Sequence, residues 1–130
     1  MIEYNIKEIK EVLAKFKGIS YAFIFGSATK VLLSDSDVDI LIGGKLSYPE
    51  RLDLALELEL ILRRKVDVVL TEEASPELVL NAFCFGLSVL INNRENLKKD
   101  YFKNLFLYED RESLRKLRIS RIKRRYNYGG

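Results

Sequence analysis

The 130-residue sequence predicts an α/β (α+β) fold: a mixed sheet of about four strands flanked by helices, with a long helix at the C-terminus. Three observations lead there. Short runs of β-forming residues, "ISYAFIF" (19–25), "VDILI" (38–42) and "VDVVL" (66–70), alternate with longer segments of helical character. The first run is apolar on both faces, as in a central strand covered by helices, and the second reads as a buried strand. The apolar fraction of 48% is enough for one core in a chain of single-domain length.

Each element has a local signal. Ile6, Ile9, Leu13 and Phe16 recur at helical spacing, with Asn5 as an N-cap and Gly18 as a stop. "ISYAFIF" is a central strand, broken by Gly26-Ser27, and a short helical turn is expected through "ATKVLL" (28–33). "VDILI" is a second buried strand ending at Gly43-Gly44. Ser47 caps "PERLDLALELELILRRK", with Pro49 in the first turn. "VDVVL" is the third strand; Ser75 and Pro76 open the next helix, and "LSVLIN" adds a short edge strand. From Glu95 helical character continues almost to Tyr126. Leu97, Tyr101, Leu105 and Tyr108 give the first part of this helix a face to pack on its own domain.

Composition narrows the chemistry. There is no histidine, which removes Ser-His-Asp and Cys-His catalysis and His-based zinc sites. The single cysteine, Cys84, rules out an internal disulfide, and its apolar surroundings predict a buried structural thiol. No apolar run reaches the roughly 18 residues of a membrane span, and the charged N-terminus has no signal-peptide pattern. The expected location is cytoplasmic, with no membrane partner. Residues 111–125 carry eight Lys or Arg against one Glu, a basic tail on a modestly acidic body. Such a tail suits an acidic protein partner or RNA.

The carboxylates are the distinctive feature. Side chains at i and i+2 of a strand share a face about 6.6 Å apart, so Asp37 and Asp39 point the same way while Val38, Ile40 and Ile42 enter the core. Asp67 is the charge inside the third strand. If that strand pairs with the second, it reaches the same face. Three such carboxylates repel unless cations bridge them, and hard oxygen donors suit magnesium or manganese. Simpler roles remain open: Asp37 as a turn residue, Asp67 as an ion-pair partner of Lys65 or Arg64. Gly26 permits close backbone approach. A helix starting after Ser27 would aim N–H groups at an anion, without Walker A spacing.

Gly26-Ser27, nine intervening residues and Asp37-Val38-Asp39 resemble the Gly-Ser-x(9–10)-Asp-x-Asp signature of the DNA polymerase β-like nucleotidyltransferases, and the short chain resembles their minimal branch. The resemblance covers roughly residues 5–92 and implies a nucleotidyltransferase domain, set at 1–93; the segment 94–130 reads from its own aromatics, leucines and cations as a partner-binding helical extension. It implies two Mg²⁺ on Asp37, Asp39 and Asp67, the catalytic triad, and ATP as substrate, with Gly26 and Ser27 at its phosphates. Many members continue "x-Ala-Arg-Gly"; here Ala28-Thr29-Lys30-Val31 follows, so Lys30 stands in for the Arg as a point charge without the missing Gly. Members of this branch are commonly antitoxins that transfer AMP to a tyrosine of a HEPN ribonuclease toxin. The alternatives are a catalytically weak antitoxin acting by binding, or transfer to an RNA end or small molecule.

Overall fold

The computed structural model describes the backbone of residues 2–26 and 37–128, with side chains over 6–26, 37–112 and 115–116. Among these residues lie α1 (Ile2–Ala14), β1 (Ile19–Phe25), β2 (Val38–Gly44), α2 (Tyr48–Leu62), β3 (Val66–Leu70), a 3₁₀ turn (Thr71–Glu73), α3 (Pro76–Phe85), β4 (Leu87–Ile91) and α4 (Arg94–Tyr128). The sheet order is β3-β2-β1-β4. β1 is antiparallel to β2 and β4, whereas β2 and β3, joined through α2, run parallel.

Strand alternation divides the core in two. Ala22 and Ile24 of β1, Val38, Ile40 and Ile42 of β2, and Val66, Val68 and Leu70 of β3 meet Ile9, Val12 and Leu13 of α1 and Leu54, Leu58 and Leu62 of α2. The opposite face carries Tyr21, Phe23 and Leu41, covered by Val79 and Ala82 of α3, with Phe83 and Leu97 beside them. Charged side chains on β2 and β3 must therefore lie on this second face, because the first is filled with hydrocarbon.

Helix ends follow the sequence closely. The Ser47 hydroxyl accepts from the Glu50 N–H at 3.3 Å, and Glu50 Oε1 accepts from the Ser47 N–H at 3.0 Å, a reciprocal cap. Arg63, in the left-handed region at φ 54°, ends α2. Ser75 Oγ accepts from the Leu78 N–H at 3.2 Å and opens α3. Arg51 ties α2 to the outer strand: its guanidinium donates to the Val68 carbonyl and forks onto the Glu73 carboxylate. That covers part of the open edge of β3.

Two expectations change. Helix α1 begins at Ile2, so Asn5 lies within it and is not its cap. Cys84 is exposed, not buried. Helix α3 turns Val79 and Ala82 inward, and residue 84 lies two positions, about 200°, beyond Ala82 on the far side. The first half of α4 packs on the domain as predicted. Tyr101 meets Phe83 with ring centroids 6.3 Å apart, and Asp100 Oδ2 accepts from the Tyr21 hydroxyl at 2.7 Å.

Candidate functional site

At the end of β1 and the start of β2, antiparallel pairing sets Phe25 opposite Asp39. On the other side of β2, parallel pairing sets Asp39 opposite Asp67. Neighbouring strands lie about 4.8 Å apart, so the two carboxylates leave adjacent backbones on the same face. Asp37 precedes the strand by one residue and stands one pleat from Asp39. Asp37 and Asp67 are exposed, and Asp39 is half-buried between them.

The electrostatics record this proximity. The Asp39 carboxyl is held above its ordinary acidity range, first by burial, then by the charges of Asp67 and Asp37. Asp39 and its two neighbours thus act on one another. The simpler role for Asp67, an ion pair with Lys65 or Arg64, does not occur among the described ion pairs.

Gly26 completes the corner. Its φ of +85° is one that side-chain-bearing residues rarely adopt. A Cβ on it would lie 2.7 Å from Asp39 Oδ2, so the glycine lets the strand end pass directly against that carboxylate. Ser27, Lys30 and the expected turn at 28–33 lie outside the described residues.

Beside Gly26 opens a cavity of about 320 Å³, lined by Phe25, Gly26, Glu77, Leu78 and Asn81. Sequence reasoning missed Glu77, Leu78 and Asn81. They belong to α3, forty residues beyond the acidic strand. The available signal was the Glu77-Asn81 pair, polar residues one helical turn apart on an otherwise apolar helix.

The donor set suits a hard divalent cation: three carboxylates on one face, at a glycine corner, with a cavity alongside. Among the described residues no three acidic groups lie close enough together to hold a metal ion as they stand. Like charge on the three carboxylates opposes closer approach. The fit therefore rests on donor type and shared face.

Comparison with known proteins identifies the family. A family model described as "Polymerase beta, Nucleotidyltransferase" matches residues 7–96. No curated protein matches the sequence. Among solved structures, a chain of an MntA–HepT toxin–antitoxin variant has a TM-score of 0.73 at 21% identity, over 91% of this chain and 98% of that one. A toxin–antitoxin structure with AMP-PNP gives 0.72 at 22% identity, over 91% and 98%. A tri-AMPylated Shewanella oneidensis HEPN toxin in complex with an MNT antitoxin gives 0.68 at 23% identity, over 94% and 98%. With the family model spanning more than half of its length, the chain belongs to the polymerase beta nucleotidyltransferase family.

Proposed function

We propose that the protein is a Mg²⁺-dependent nucleotidyltransferase that transfers AMP from ATP to a tyrosine of a HEPN-type partner and acts as its antitoxin. The observation that carries the catalytic part is the register Asp39 opposite Asp67, which unites the Asp-x-Asp pair with the third carboxylate. The partner assignment is supported by the likeness to chains of MNT–HEPN complexes, one of them with a tri-AMPylated toxin.

In this reading Asp37, Asp39 and Asp67 hold the metal. Magnesium held there would supply charge neutralisation at the triphosphate. Asp67, exposed on the outer strand, is assigned to take the proton of the incoming tyrosine hydroxyl. A new oxygen–phosphorus bond forms at the α-phosphate as the bond to pyrophosphate breaks. Gly26 brings backbone against the phosphates, with Ser27 and Lys30 assigned to the same end. The cavity at Phe25 and Asn81 takes part of the nucleotide.

The acceptor comes from outside, and α4 is the surface offered to it. Phe102 and Phe106, one turn apart, are 64% and 69% exposed. Outward aromatics favour a protein over RNA as the partner of this helix.

The test is to express the tagged protein in cells, purify what accompanies it, and add ATP labelled at the α-phosphate with Mg²⁺. Label on a tyrosine of the co-purifying protein, lost in Asp39→Ala while co-purification persists, supports the reading. Absence of any transfer overturns it.

A further inference from the structure

A second cavity lies at the other end of the sheet. It measures about 610 Å³ and opens between the Gly44-Lys45 corner, the 3₁₀ turn and one face of α4. From Asp39 to Gly44 β2 runs five residues, about 17 Å, so the cavity is separate from the acidic corner.

Its floor is an ordered polar network. The buried Tyr21 hydroxyl donates to Asp100 Oδ2 at 2.7 Å and lies 2.7 Å from Thr71 Oγ1. Asn96 Nδ2 donates to Ser20 Oγ at 2.7 Å, and Asn104 Nδ2 donates to the Asp100 carbonyl at 2.8 Å. These groups are satisfied internally and fix the wall.

The walls carry more positive than negative charge. Lys45 approaches from the sheet, Lys99 and Lys103 from successive turns of α4, and Arg111 from further along it. Glu72 and Asp100 also line the cavity; Asp100 accepts from the Tyr21 hydroxyl, and Arg111 pairs with Glu77 at 3.4 Å, which leaves the three lysines as the cations open to a ligand. Among the described residues no carboxylate pairs with Lys45, Lys99 or Lys103. Three ammonium groups on opposite walls of one concavity, outside ion-pair distance of any described carboxylate, raise the local potential. The volume lies within the range of small-molecule sites, roughly 300–1,000 Å³, which favours a compact anion over a nucleic-acid backbone.

We propose that this cavity is a second ligand site, for a small molecule carrying a multiply charged phosphate chain. Such a ligand bridges Lys45 of the sheet to Lys99 and Lys103, tying α4 to the domain. The inference does not depend on the proposed transfer activity.

The test is an amide NMR titration of the isotope-labelled full chain with inorganic tripolyphosphate, without divalent cations. Saturable shifts are expected at Gly18, Gly44, Lys45 and Asn96. Lys99→Glu/Lys103→Glu should weaken them about tenfold or more, as loss of charge-assisted contacts does. Lys7→Glu/Lys10→Glu makes the same charge change on α1 and should leave them in place. The proposal is overturned by three results: no saturable shift at these amides, shifts confined to Gly26 and Asp39, or equal weakening by both double variants. A short single-stranded RNA that saturates the same amides at lower concentration than tripolyphosphate also overturns it.

Discussion

Gly26→Ala separates a catalytic corner from a structural turn. At φ +85° a Cβ costs about 1–2 kcal/mol in left-handed backbone, of which about 0.5–1 kcal/mol is returned by the stiffer unfolded chain. The new methyl would stand 2.7 Å from Asp39 Oδ2, so that carboxylate must rotate. An off-rotamer side chain adds about 0.5–1.5 kcal/mol. The net loss is about 1–2 kcal/mol, a fall in Tm of roughly 3–8 °C for a chain of this size. Transfer should suffer far more, because displacement of a metal-binding group by about 1 Å costs on the order of 100-fold. Thermal melts and transfer rates on the same preparation, well below Tm, compare the two. A variant that transfers at the wild-type rate would refute the placement of Gly26 against the working carboxylate. So would a rate loss no larger than its unfolded fraction.

The other predictions concern charge and packing. Asp39→Asn should abolish transfer yet raise Tm at neutral pH. The folded chain holds the Asp39 carboxyl above its ordinary pKa, so ionisation opposes folding as pH rises through the folded value, and the gain should vanish below pH 3.8, where both states are protonated. Mg²⁺ should stabilise the wild type, by about 2.7 kcal/mol at 100 times its Kd, and not Asp39→Asn. Tyr21→Phe should cost about 1–3 kcal/mol by stranding Thr71 and Asp100. It should also flatten the alkaline limb of stability: burial raises the Tyr21 pKa, so the wild type loses stability as pH climbs above 10. Leu58→Ala should cost about 2–4 kcal/mol, whereas Leu56→Ser, on the exposed side of the same helix, should stay within about 0.5 kcal/mol. Denaturant melts measure each.

The acidic corner was legible because a strand's two-residue period is rigid. Once Val38, Ile40 and Ile42 enter the core, Asp39 must face the other way. The register with Asp67 needed the strand order, which sequence could only make conditional. Helix α2 shows a harder case. Leu52, Leu54, Leu56, Leu58, Leu60 and Leu62 recur every second residue, a strand-like pattern. The Ser47-Glu50 cap and Pro49 decide for helix, and helical winding splits the leucines into a buried row, Leu54, Leu58 and Leu62, and an exposed row, Leu52, Leu56 and Leu60. The Tyr21-Thr71-Asp100 network was invisible because its members are 50 and 79 residues apart and each reads singly as a core, turn or surface residue. Gly43 is similar: a Cβ there would fall 2.0 Å from the Tyr21 ring, a contact that no local pattern announces.

The most direct test is anomalous diffraction from crystals grown with Mn²⁺ and AMP-PNP. Manganese peaks bonded to oxygens of Asp37, Asp39 and Asp67, with the triphosphate reaching the Gly26 corner, are the predicted result. Ordered nucleotide with no ion on those carboxylates, or with Asp67 turned away from the ion that Asp37 and Asp39 hold, would contradict it.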